Sequence, residues 1–185
     1  MKYTRILIAS DLHGDAVCTE QLLARLGEEK ADLCVLLGDI LYHGPRNDLP
    51  GGYAPKRVIE LLNGVKDRLL CVRGNCDTEV DQMVLSFPIL ADYAVLFVDG
   101  RRWYLTHGHR WSVESPLPMQ AGDLMLSGHT HVPVAVPFGD GNLSLNPGST
   151  SIPKENSPRS YLVYENSVFQ WKKLESGEVY REYTI

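Results

Sequence analysis

The chain has 185 residues, of which 44% are hydrophobic and 22% charged, and its net charge is −5. That length suits one domain, residues 1–185, with a sizeable core, and the composition excludes a disordered chain. The acidic balance excludes partners held by bulk positive charge, so neither nucleic acid nor a membrane surface is an expected partner.

No stretch approaches the ~20 consecutive apolar residues of a membrane span. The apolar run of residues 6–9 is too short for the core of a signal peptide, so a cytoplasmic protein is expected. Cys18, Cys34, Cys71 and Cys76 include no CxxC pair, and a domain of this size needs no stapling, which makes disulfides and a thiolate zinc site poor candidates. Cys34 and Cys71 sit in apolar runs, where a reduced cysteine acts as a small hydrophobe.

In chain order, "RILIAS" at residues 5–10 reads as a buried strand. Asp15 is placed to cap a helix that turns Val17, Leu22, Leu23 and Leu26 inward, and "LCVLLGD" is a second buried strand. A parallel β-α-β unit is implied. Residues 41–53, "LYHGPRNDLPGGY", form a long Gly- and Pro-rich loop of the functional kind. Pro55 suits the first turn of a helix carrying Val58, Leu61, Leu62 and Val65 at helical spacing and ending near Asn63 and Gly64. "RLLCVRG" is the third strand.

The second half reads as strands. "YAVLFVDGRRWYLTHG" is a hairpin about Asp-Gly, then come "DLMLSG", "VPVAVP" and "NLSLN", and the end alternates about Glu165-Asn166 and Ser176-Gly177. Parallel crossovers followed by a run of strands predict an α/β fold in which two sheets pack together, with helices outside at least one.

Polar residues cluster where strands end. Asp11 and His13 follow the first strand, Asp39 the second and Asn75 the third, while His107, and the pair His129 and His131, follow later strand-like runs. In open α/β sheets such carboxyl ends form the ligand rim. Residues two apart on extended chain point the same way, so Asp11 with His13, and His129 with His131, are read as two-pronged ligands. Any one cluster has an ordinary explanation as a polar loop, turn or cap. Together they do not read as surface decoration. Imidazoles, carboxylates and one amide oxygen form a ligand set for Mn²⁺, Fe or Zn²⁺, and seven ligands are too many for one ion. Two metals about 3.5–4 Å apart are the arrangement used for in-line displacement at phosphorus.

The blocks "DLHG", "GDI", "GNCD", "THGH" and "GHTH", in this order, resemble the signature of the calcineurin-like metallophosphoesterases. "GDILYHGPRNDLPGGYAP" and "RGNCD" resemble the YfcE-type small bacterial phosphodiesterases in particular, as does "NPGS" at 146–149 the small bacterial branch. The resemblance implies a four-layer αββα sandwich of two mostly mixed sheets flanked by helices. It implies a phosphodiesterase acting on a small phosphoester through two divalent ions, Mn²⁺ first and Zn²⁺, Fe or Ni²⁺ after it. One ion would be held by Asp11, His13, Asp39 and His131, the other by Asp39, Asn75, His107 and His129. A hydroxide bridging the ions would attack phosphorus in line. Asp39, Asn75 and His107 would act on the reaction through this hydroxide and the phosphate.

Many relatives carry a histidine, thought to protonate the leaving group, where this chain has Cys76. A thiol is the weaker donor, so good leaving groups such as aryl esters are expected, with His43, His109 or solvent giving a proton where one is needed. Asp77 is then read as a cap for a helix starting near Thr78. Arg46, His43 and His109 are weaker candidates for substrate contact, each with solvated or loop roles as the plainer reading. "NPGS" is explained by a type II turn alone. For Trp103, Trp111 and Trp171 core packing is the first expectation and a homo-oligomer interface the second. The alternative function is a protein-binding scaffold of the same fold, like the retromer subunit that resembles it.

Overall fold

The computed structural model describes residues 4–185, so the first three residues of the expected domain lie outside the described residues. The first half alternates strands and helices: β1 (Arg5–Ala9), α1 (Ala16–Glu28), β2 (Leu33–Leu36), α2 (Pro55–Asn63), β3 (Leu69–Cys71) and the one-turn α3 (Glu79–Gln82). The second half is all strand: β4 (Tyr93–Val98), β5 (Arg101–Thr106), β6 (Leu124–Leu126), β7 (Val134–Phe138), β8 (Asn142–Asn146), β9 (Ser160–Glu165), β10 (Val168–Lys173) and β11 (Val179–Thr184).

These strands make two mixed sheets, ordered β11-β10-β9-β1-β2-β3 and β4-β5-β6-β8-β7. β1, β2 and β3 are mutually parallel in the first, and β5, β6 and β8 in the second. Strand alternation divides the first sheet's side chains between two cores. Leu7, Cys34, Leu36, Tyr161 and Val163 face the helices with Leu22, Leu26, Val58 and Leu62. Ile6, Ile8, Val35, Leu162 and Phe169 face the second sheet's Trp103, Leu105, Leu126 and Leu145. Burial on both faces explains why β1 and β2 read as unbroken apolar runs. The two sheets and their flanking helices form the expected α/β sandwich. Outside the second sheet the covering segment, residues 107–123, is irregular rather than helical, with Tyr104 donating to the Pro118 carbonyl at 3.3 Å and Trp111 edge-on to Tyr93.

Several local expectations change. Val17 is exposed, and α1 instead buries Cys18, Leu22 and Leu26, four residues apart, which places position 17 well off the inward stripe. Asp15 does cap that helix, accepting the Cys18 N–H at 2.9 Å. The β9–β10 hairpin turns on Asn166-Ser167 rather than Glu165-Asn166, both with positive φ (50° and 65°), as a tight hairpin requires. Trp103 and Trp171 are fully buried core residues, whereas Trp111 is only partly covered. Among the described residues no helix is long and apolar enough to cross a membrane.

The inter-sheet core sets stability, so Leu105→Ala is expected to cost about 2–5 kcal/mol in urea unfolding. Phe97→Ala, at a side chain 77% exposed on the outer face of β4, should stay within about 0.5 kcal/mol of the parent.

Candidate metal centre

The carboxyl ends of β1, β2 and β3 meet those of β5, β6 and β8 at one rim, and five of these exits deliver the candidate ligands to one place. Asp11 and His13 come from the first, Asp39 from the second, Asn75 from the third, His107 from β5, and His129 and His131 from β6. The exits are tied together by backbone: Asp11 N–H donates to Gly38 O (3.1 Å), His13 N–H to Asp39 O (2.9 Å) and Gly128 N–H to His107 O (2.8 Å). Gly74 and Gly128 sit where no side chain fits. A Cβ on Gly74 would overlap the Asp39 carboxylate, and one on Gly128 would overlap the Ser10 hydroxyl.

Asp11, His13, Asp39, His129 and His131 all have left-handed backbone, φ between 48° and 67°. Five non-glycine residues held there at one site are strained turns kept in place by the surrounding hydrogen bonds. This corrects the reading of Asp11/His13 and His129/His131 as pairs on extended chain. His129 and His131 serve opposite sides: the His131 ring stacks on His13 with centroids 5.1 Å apart, and the His129 ring stands edge-on to His107, also at 5.1 Å.

Each buried carboxylate spends one oxygen on the backbone and turns the other inward. Asp11 Oδ2 accepts the His129 N–H (3.0 Å) and Asp39 Oδ1 accepts the Cys76 N–H (2.8 Å). Asp11 Oδ1 is buried without a hydrogen-bond partner and faces Nε2 of His131 (3.3 Å), His13 (3.6 Å) and His107 (4.0 Å). Asp39 Oδ2 faces Nε2 of His107 (3.4 Å) and of His13 (3.7 Å). The opposite ring nitrogen of each histidine is tied to a carbonyl: His13 Nδ1 to Tyr42 O (2.8 Å), His107 Nδ1 to Leu37 O (2.6 Å) and His131 Nδ1 to Ile152 O (2.6 Å). Donation from Nδ1 fixes the tautomer in which Nε2 presents a lone pair, the arrangement that orients histidine metal ligands. Asn75 Oδ1 lies 3.1 Å from His107 Nε2.

The donors form two clusters, Asp11/His13/His131 and Asp11/Asp39/His107, each within 4.8 Å. Lone pairs crowded together around an unpartnered buried oxygen fit a pair of divalent cations, which supply the positive charge that this arrangement needs. The proton equilibria express the same demand. Burial opposes ionisation of Asp11, yet the imidazoles of His13 and His131 that face it hold its carboxyl well below the usual range. Burial pulls His107 down, but the Asp39 hydrogen bond and the Asp11 and Asp39 charges outweigh it and push His107 up to about 9. Burial and then the charge of His107 lower both His109, to about 4, and His129. Cys76 Sγ also comes within 4.8 Å of His13 and Asp39 donor atoms, and in the metal-free centre burial and then the Asp39 charge raise the thiol far above its ordinary value.

A polar cavity of about 410 Å³ opens over these groups, lined by His13, Asp39, Asn75, His129 and His131 together with Cys76. Arg46 reaches it from the long loop; His43 and His109 do not line it. His43 packs edge-on between Tyr42 and Tyr53, and His109 leans on the His107 and His129 rings. Lys154, Thr130 and Asn47 also line the cavity and carried no motif that would single them out. "NPGS" is more than a turn: Asn146 Nδ2 donates to Gly128 O (2.7 Å), and Ser149 Oγ to the Asp11 carbonyl (2.9 Å).

Asp77 does not cap the short helix; Thr78 does, in a capping box with Asp81. Asp77 is buried, its Oδ2 accepting N–H from Asp39 (2.8 Å) and Gly74 (2.7 Å) and its Oδ1 that of Ile40 (2.8 Å). Burial raises its pKa to about 6 despite those bonds. It clamps the second strand exit to the third.

A family model described as the calcineurin-like phosphoesterase superfamily domain matches residues 4–167. The chain belongs to this superfamily. It is 42% identical over 181 residues to Phosphodiesterase YfcE of Escherichia coli K12, covering 98% of each chain. The solved structure of YfcE, a phosphoesterase from E. coli, superposes with a TM-score of 0.94 at 42% identity, covering 98% of this chain and 99% of that one. Vacuolar Protein Sorting 29 from Cryptosporidium parvum, at 18% identity and a TM-score of 0.64 over the full length of both chains, shares the superfamily fold.

Two outcomes test this geometry. In Asp77→Asn an amide NH₂ must face at least one backbone N–H, so we expect about 1–3 kcal/mol lost on unfolding and about 10–100-fold weaker Mn²⁺ binding by calorimetry. Because Nε2 of His107 must be free of its proton to ligate, Mn²⁺ binding at pH 7 should release protons into a weak buffer. Affinity should rise as pH climbs towards about 9, where His107 loses its proton unaided, and level off beyond. A pH-independent affinity would contradict this.

Proposed function

We propose that the protein is a dinuclear-metal phosphodiesterase acting on a small phosphoester in the cytoplasm, with residues 1–185 as one catalytic domain. One ion is assigned to Asp11, His13, Asp39 and His131 and the other to Asp39, Asn75, His107 and His129, with Mn²⁺ preferred over Zn²⁺, Fe or Ni²⁺. The observation that carries this reading is the convergence of three Nε2 atoms, each tied back through Nδ1, on the inward oxygens of Asp11 and Asp39. Kinship at 42% identity with a phosphodiesterase over nearly the whole chain supports the diester class. Four free thiols agree with a reducing compartment.

When bound, two such ions lower the pKa of a water near neutrality and neutralise charge on the phosphoryl oxygens. The chain's own groups do the rest. Asp11 and Asp39 hold the positive charge in a water-poor floor, and the three carbonyl ties keep the imidazoles from turning away. Arg46 and Lys154, at the cavity wall, orient a phosphate anion that enters. Cys76 remains a neutral thiol beside the reacting region and hands over no proton readily, so the leaving group departs on its own acidity.

The Mn²⁺-loaded protein should release nitrophenol from bis(4-nitrophenyl) phosphate, and Asp39→Ala should abolish this. Cys76→Ala should keep most of the aryl-ester activity, and Cys76→His should gain chiefly on an alkyl diester. No turnover with Mn²⁺, Ni²⁺ or Zn²⁺ from neutral to alkaline pH would leave the protein-binding scaffold as the better reading.

A further inference from the structure

A second cavity, of about 370 Å³, lies beside the metal centre. Its walls are apolar, built by Leu41, Tyr42, Tyr53, Ile59, Val80 and Val84, with Lys56, Thr78 and Asp81 among its polar groups. Tyr42, Val80 and Val84 are 41%, 69% and 44% exposed, a concentration of open apolar surface unlike the polar cavity next to it. Cys76 lines both cavities, alone among the described residues. It is buried, and Sγ accepts from Asn75 Nδ2 at 3.2 Å, so it stands at the join between the metal-facing amide and the groove.

We propose that this groove seats the leaving group of the substrate, and that the natural substrate is a phosphodiester of an aromatic alcohol. The inference rests on the phosphodiesterase reading and deepens it. Two independent features converge on the same chemistry. A thiol is a weak hydrogen-bond donor, so the group beside Cys76 has to leave without help, which favours an acidic alcohol. The groove is apolar and walled by the two tyrosines, which favours a flat, apolar body. Phenols satisfy both; simple alkyl alcohols and sugars satisfy neither. A cysteine also takes up less of the join between the two cavities than an imidazole would. In the reaction a bond forms from the water oxygen to phosphorus and the bond from phosphorus to the aryl oxygen breaks. The electron pair stays on the departing phenolate, and the proton lost by the water passes to solvent.

Val84→Glu and Val80→Glu place a carboxylate in the groove at exposed positions away from the metal donors. With bis(4-nitrophenyl) phosphate, KM should rise about tenfold, while kcat and Mn²⁺ affinity stay within about twofold. Protein NMR with 2-naphthol reports occupancy without turnover: shifts should map to Tyr42, Tyr53, Ile59 and Val84 and weaken in both variants, and inorganic phosphate should not reproduce them. An unchanged KM, naphthol shifts elsewhere, or a dimer that Val84→Glu dissociates would each overturn the proposal, the last by making the groove a contact between two copies. If the unaltered protein turns over no diester, the phosphodiesterase reading fails by itself, and the naphthol map still decides whether the groove takes an aromatic ligand.

Discussion

The structure depends on keeping two carboxylates, Asp11 and Asp39, ionised at a place almost sealed from water. An isolated buried carboxylate is costly enough that it would ordinarily take up a proton. Here each gives one oxygen to a backbone N–H and faces the other towards imidazoles. The electrostatic requirement for positive charge is met by protons in the free protein and by cations in the loaded one. Much of the rim architecture can be understood as holding those few oxygens and nitrogens still.

The sandwich solves the positional problem. Parallel β1, β2 and β3 point their ends the same way, as do β5, β6 and β8, and the large apolar core between the sheets sets the two triplets against each other. Antiparallel hairpins alone would have sent alternate loops to opposite ends. The remaining freedom is removed locally. Left-handed backbone at five of the donor residues turns each chain sharply at the strand exit, Asp77 clamps two exits by three N–H bonds, and the Ser149 and Ser151 hydroxyls hold the Asp11 carbonyl. Strain of this kind persists only where the surroundings over-determine it.

Around that centre the walls are chemically divided. Cations from the long loop and from Lys154 stand on the polar side, the tyrosine-lined groove lies on the other, and Cys76 separates them. The same carboxylates that attract metal also suppress thiolate formation, since burial and the Asp39 charge act on Cys76 in one direction.

Much of this was legible from the residues alone. Apolar runs and turn chemistry located β1, β2, the crossover helices and the late strands, and the Asp, His and Asn blocks at strand exits marked the donors, because both signals are local and periodic. Local reading failed where conformation departed from period. Asp11/His13 and His129/His131 were spaced as if on extended chain, but left-handed φ turns them, and Val17 lies off the stripe that Leu22 and Leu26 define. Nothing in "RGNCD" tells that Asp77 reaches back to the second strand's exit, nor does any motif mark Lys154, the Tyr42 and Ile152 carbonyls or the groove beside Cys76. By itself the sequence determined the kinds of ligand and the elements that carry them. Tertiary structure decided which ligands meet, which oxygen faces inward and what adjoins the site, because these depend on sheet order and packing between residues far apart in the chain.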